Sequence, residues 1–128
     1  MHELSVAMSM IEMASEEVER RGGGRVTALY LKLGPLSGVV KEALEFSYEI
    51  ACQGTALEGS QLIVEDVPVT IYCSSCRTDQ FVESIQSLRC PDCGELSNDV
   101  RQGRDLEVVA LELEEDPLMV QDALRKSA

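Results

Sequence analysis

The sequence predicts an α+β fold in which two amphipathic helices cover a small sheet, and three observations carry that reading. Apolar residues at three- and four-residue intervals open the chain, and alternating strand-like runs occupy 25–33, 61–69 and 106–113. A cysteine-bearing segment of different character, 70–102, separates the last two runs. Its apolar content is too low for a core of its own, so it reads as an insertion ahead of the final strand. A length of 128 residues suits one domain carrying a smaller insert. The expected division is 1–69 with 103–128 as one unit and 70–102 as the other.

Each element has its own local reason. Leu4, Ala7, Met8, Ile11, Met13, Ala14 and Val18 share a helical face, with Glu12, Glu16, Glu17 and Glu19 mostly opposite, which predicts a first helix over 4–18. Arg20 and Arg21 complement its C-terminal dipole, and Gly22-Gly23-Gly24 stops it. Arg25 to Leu33 alternates, with Thr27, Leu29, Leu31 and Leu33 forming the more apolar set, and Gly34-Pro35 closes that strand. Ser37 stands where an N-cap belongs, and Val40, Ala43, Leu44, Ser47 and Ile50 continue a second helix to about Ala51. After a loop around Gly54 and Gly59, Gln61 to Val69 reads as a strand marked by Leu62, Val64 and Val67. Within the cysteine segment Gln80 to Ile85 is strand-like, and beyond it Leu106 to Leu113 returns to alternation and can pair with the earlier strands. Asp116-Pro117 begins either a short terminal helix, Leu118 to Arg125, or a frayed tail. Leu118, Met119, Ala123 and Leu124 there form either an apolar docking stripe or part of a solvated segment.

Composition narrows the function. Apolar residues make up 45% of the chain, aromatic ones 4%, and Trp is absent, so the core must be aliphatic. A formal net charge of -12 repels phosphate backbones and anionic lipid, which argues against nucleic acid and membrane surfaces as partners. No apolar run approaches the roughly 18 residues needed to span a bilayer, and MHELSVAMSM has neither a basic nor a continuous apolar stretch of the secretory kind. The expectation is a cytoplasmic protein, whose cysteines point to metal ligation rather than to disulfides.

Cys73-x2-Cys76, thirteen intervening residues and Cys90-x2-Cys93 make two knuckles whose thiolates can converge on one tetrahedral ion. Pro91 and Gly94 supply turn chemistry. Zinc is the expected ion, in a closed structural zinc-ribbon site, although rubredoxin-type iron also fits the spacing and a redox dithiol needs only one pair. Cys52, alone after the second helix, reads as a small buried hydrophobe.

His2 is the single histidine. The Met1 amine, the His2 amide nitrogen and the His2 Nδ1 can close adjacent chelate rings of the nitrogen-rich, planar kind that suits Ni(II) or Cu(II). Glu3, water or a partner must fill the fourth position, and such an incompletely filled site suits handing metal onward. The plainer reading is a polar helix start, with Glu3 favourable to the dipole.

With MHELSVA at the start, LKLGPLSGV after the first strand, EGSQLIVEDVPV before the first knuckle and the paired CxxC motifs, the chain resembles the HypA/HybF hydrogenase nickel incorporation proteins over roughly residues 1–114. The resemblance implies a small mixed sheet with two helices as a nickel-binding domain and an inserted zinc-ribbon domain. It implies a nickel metallochaperone for [NiFe]-hydrogenase maturation, working with the GTPase HypB and delivering to the hydrogenase large-subunit precursor. By position, His2 with the Met1 amine and Glu3 becomes the nickel site, Ni2+ being cargo, and Cys73, Cys76, Cys90 and Cys93 the structural Zn2+ site.

A second class, an acidic zinc-ribbon protein-interaction module, shares the knuckles but needs nothing of His2. An enzyme finds no support, because the sequence offers no phosphate-binding glycine loop and no base to partner a nucleophile. Monomer and homodimer both remain open.

Overall fold

The computed structural model describes residues 2–114. Helix α1 spans His2–Arg20 and buries Ala7, Met10, Ile11, Ala14 and Val18, an i, i+3, i+4, i+7 stripe. That stripe is rotated from the one expected: Met10 takes a core place, while Leu4, Met8 and Met13 are exposed. Arg20 and Arg21 both reach the Glu17 carboxylate. Gly22, Gly23 and Gly24 then adopt left-handed angles that side chains resist, and α1 stops there.

Strand β1, Val26–Leu33, buries Val26, Ala28, Leu29, Leu31 and Leu33. Ser37 does not cap the second helix. It belongs to a 3₁₀ turn, Pro35–Ser37, and its Oγ accepts the Val39 N–H at 3.2 Å. Gly38, with φ 82°, delays the helix by three residues, so α2 runs Lys41–Ala51 with Val40 at the cap position. Valine has no side-chain acceptor to offer, so α2 begins without a side-chain cap, and the Glu3 carboxylate of α1 accepts the N–H of Val40 itself at 3.4 Å. Helix α2 buries Leu44, Ser47 and Tyr48; Val40 and Ile50, expected inside, are exposed.

The expected strand over 61–69 is two. Strand β2, Gln61–Asp66, lies parallel to β1, as a crossover through α2 requires. Pro68 has no N–H for a ladder, and from Val69–Cys73 the chain forms β3 in a different sheet. Strand β4 is Thr78–Val82, earlier than the expected 80–85, and β5 is Val100–Gln102. Strand β6, Leu106–Leu113, returns antiparallel to the other edge of β1. One sheet is therefore mixed, in the order β2-β1-β6, and the other runs β4-β3-β5.

The core lies between the two helices and the mixed sheet. Leu29, Leu31, Leu44 and Leu57 are essentially inaccessible there, each contributing about 1.5–3 kcal/mol by burial. Around the second sheet the buried apolar side chains are fewer, Val69 and Ile71 with Cys73 and Cys90. The two sheets meet where Gly34 N–H donates to Asp105 O and Leu36 N–H to Gly103 O, both at 2.8 Å. Among the described residues no helix is long and apolar enough to cross a membrane. The expected terminal helix and its stripe, Leu118, Met119, Ala123 and Leu124, lie outside the described residues.

Candidate metal centre

The first knuckle grows out of β3, whose last residue is Cys73. Cys76 N–H points back to Cys73 Sγ at 3.4 Å, and Arg77, with φ 56°, reverses the chain so that Thr78 pairs with Cys73. In the second knuckle Gly94 N–H donates to Cys90 O at 2.8 Å and Cys90 N–H to Glu95 O at 2.9 Å. That double closure puts Gly94 at φ 78°, where a side chain would be strained.

The four sulfurs converge within 4.8 Å of one another, Cys73 to Cys93 at 3.5 Å and Cys76 to Cys90 at 3.8 Å. Four thiolates each about 2.3 Å from a tetrahedral zinc stand about 3.8 Å apart, close to the two separations of 3.5 and 3.8 Å, so the donor set suits that ion. Disulfides are excluded, since sulfurs that far apart are not bonded and all four cysteines are free. Cys73 and Cys90 are buried, Cys76 half-buried and Cys93 exposed.

Protonation in the cluster is uneven. The Cys93 amide, with that of Asp92, aims at the Cys90 sulfur and lowers its thiol to about 7. Hydrogen bonding with Cys90, then with Cys73 and Cys93, pushes the Cys76 thiol up to about 12. Sulfurs this close compete for protons, and a divalent cation removes the conflict by replacing them.

Sequence reasoning missed the contacts that brace the knuckles. The Glu95 carboxylate accepts the Ser75 hydroxyl and lies 3.9 Å from Cys73 Sγ, bridging one knuckle to the other. Gln80 Nε2 donates to Asp92 Oδ2 at 3.0 Å, tying β4 to the second knuckle. Exposed polar residues of this kind carry no spacing signal.

His2, the first residue of α1, is exposed and borders an open groove of about 540 Å³ between α1 and β6, with Ser5, Ser9, Met13, Leu106 and Glu107. Glu3 is half-buried, its carboxylate occupied at the start of α2. Its backbone N–H belongs to the first turn, where amides have no intrahelical acceptor. Met1 lies outside the described residues. The four cysteines are, among the described residues, the one group of three or more potential metal ligands brought together. Cys52 stands apart and buried, 4.0 Å from Ser60 Oγ, which Tyr48 OH meets at 2.7 Å. Burial pushes the Cys52 thiol up, so it stays neutral.

Comparison with known proteins agrees over nearly the whole described chain. The family model described as hydrogenase/urease nickel incorporation, metallochaperone, HypA, matches residues 1–113. The hydrogenase maturation factor HypA of Roseiflexus sp. is 44% identical over 116 residues, covering 91% of this chain and 94% of its own. That of Chloroflexus aggregans is 44% identical over 112 residues, covering 88% and 98%. The solution structure of the nickel metallochaperone HypA from Helicobacter pylori superposes with a TM-score of 0.63 at 20% identity, covering 91% of this chain and all of that one. At that identity the superposition speaks for the fold, two helices with small mixed sheets. The family is one of metallochaperones and maturation factors, not enzymes. Family match, relatives and fold agree: the chain belongs to the HypA family of hydrogenase nickel incorporation metallochaperones.

Proposed function

We propose that the protein binds Ni(II) at its N-terminus and delivers it to the large subunit of a [NiFe]-hydrogenase during maturation, while a zinc ion held by Cys73, Cys76, Cys90 and Cys93 braces the fold. The observation that carries the reading is the pairing of a closed four-sulfur cluster with an exposed His2 in a chain of the nickel incorporation family. Four thiolates saturate zinc and leave it no open position, so the ion there is structural. In this reading residues 70–102 form a zinc-ribbon domain inserted into a nickel-binding domain made of 1–69 and 103–128.

Nickel takes the Met1 amine, the His2 amide nitrogen and the His2 imidazole, with the Glu3 backbone completing the set. The His2 and Glu3 amides lie in the first turn of α1, so using them as ligands costs no intrahelical hydrogen bond. The positive end of the helix dipole opposes a cation there, and deprotonated amides offset it. That opposition favours transient rather than permanent holding. HypB, a GTPase, and the large-subunit precursor are the partners in this reading, and the cytoplasm is its compartment.

A short extension placed ahead of Met1 tests it. The extended protein should retain its zinc and lose nickel uptake, measured by metal analysis after desalting. Undiminished nickel would favour the interaction-module reading instead.

A further inference from the structure

Apart from Met13, the large exposed apolar side chains of the two helices fall along one line. Helix α1 turns Val6 and Met13 towards β6, where they border the groove that Leu106 and Val108 line. Helix α2 turns Glu45, Glu49 and Cys52 the other way, towards Gly59, Ser60 and Leu62 beside β2. By helical periodicity the opposite flanks of the two helices face each other across the seam between them. Leu4 and Met8 lie on that flank of α1, Phe46 and Ile50 on that of α2, and Val40 at the start of α2. They are 40%, 57%, 66%, 48% and 56% exposed. None belongs to the core cluster. A single exposed leucine is ordinary, but five large apolar side chains along one seam make a surface of the kind that receives a partner.

Charge specifies the partner. Beyond the seam α1 carries Glu12, Glu16 and Glu19, and α2 carries Glu42. Lys41, the one cation of α2, is engaged with Asp66 at 3.3 Å. The Glu3 contact to Val40 joins one end of the seam to the residue after His2.

We propose that the α1–α2 seam docks an amphipathic helix of a partner protein, its apolar side on Leu4, Met8, Phe46 and Ile50 and its lysines and arginines over the glutamate rim. This rests on the metal-carrier reading, because a carrier must dock its donor or acceptor, and Leu4 of the seam stands two residues from His2 in the same helix, on the opposite flank. The acidic rim adds orientation and speed of encounter.

The test uses the full chain and two synthetic peptides of about 18 residues, each with leucines at i, i+3, i+4 and i+7, one edged by lysines and one by glutamates. Fluorescence anisotropy should show the lysine peptide binding at least about tenfold more tightly than the glutamate peptide, and weakening severalfold between about 50 and 300 mM salt. Phe46→Ser combined with Ile50→Ser should weaken the lysine peptide about tenfold or more. Ile63→Ser, removing an exposed isoleucine of β2, should leave it bound. Circular dichroism should show both variants folded, since Phe46 is 66% exposed and Ile50 and Ile63 keep 48% and 37% of their surface in solvent. Equal peptide binding by the parent and the Phe46/Ile50 variant would overturn the proposal, leaving only general charge attraction. Sedimentation equilibrium showing a dimer in the parent and a monomer in the variant would also overturn it, making a second copy the occupant. Nickel uptake measured on the same samples separates the two readings. Loss of peptide binding with nickel retained is the docking result, whereas peptide binding without any nickel uptake by the parent would sink the carrier reading alone.

Discussion

Gly34→Ala should be among the most damaging single-methyl additions to this protein. A Cβ on Gly34 would overlap the Gly103 carbonyl and stand 2.9 Å from Gly103 Cα. The obstruction is backbone, so relief requires the exit of β1 to part from the 103–105 link. Parting breaks the two hydrogen bonds at 2.8 Å that join the sheets, Gly34 N–H to Asp105 O and Leu36 N–H to Gly103 O. Each is worth about 1 kcal/mol net, and an amide left unpaired in a buried place costs about 1–3 kcal/mol more. The expected loss is therefore about 3–5 kcal/mol, or roughly 10–20 °C in Tm for a chain of this size. Gly38→Ala is the control: Gly38 has φ 82° with nothing within 4 Å, so conformational strain alone should cost about 1–2 kcal/mol. Urea unfolding with zinc in excess, so that metal loading is equal, compares the two. A Gly34→Ala protein within about 1 kcal/mol of the parent, or no worse than Gly38→Ala, would refute the reasoning.

Other expectations follow from the same geometry. Cys73→Ser, or a strong chelator, should remove the ion and open residues 70–102 to hydrogen exchange while α1 and β1 stay protected, because metal binding in small modules supplies about 10–16 kcal/mol of folding free energy. Unchanged exchange would mean that the polar braces, Glu95 and Gln80, hold the knuckles alone. Glu17→Gln should lower Tm slightly at neutral pH and not in acid. The Arg21 and Arg20 guanidiniums hold the Glu17 carboxyl below its ordinary 4.5, so its stabilisation is complete above that value and is lost as pH falls through the depressed one. Melts of the two proteins should converge as pH falls from neutral through the depressed value. A constant gap would place the effect in packing rather than charge.

Periodicity made the larger elements legible because each has one buried face. Alternation located β6 at Leu106–Leu113, and the glycine run ended α1 where left-handed backbone begins. Failures came where a tertiary contact replaced a local signal. Ser37 looked like a cap, but Gly38 moves the start of α2 to Lys41, behind a Val40 that offers no side-chain cap and whose own N–H goes to Glu3, far away in sequence. The run from Gln61 to Val69 looked continuous because Val67 is buried like a strand residue; its N–H donates to Leu33 O at 2.9 Å, and Pro68 ends the ladder there. Leu4, Met8 and Ile50 looked like core, since hydropathy does not distinguish a face that meets another helix from one left open beside it. The four cysteines were legible because the thiolate geometry of a tetrahedral ion fixes their spacing. Glu95 and Gln80 were not, because side chains that only orient a knuckle can come from any nearby strand or turn.

Native mass spectrometry of the untagged protein and of His2→Ala, each titrated with nickel at neutral pH and with zinc counted in the same spectra, tests the central claim most directly. The parent should gain one nickel beside one zinc, and the variant should keep the zinc and take up no nickel. Equal nickel in both proteins, or nickel that enters only as zinc leaves the four cysteines, would contradict the account.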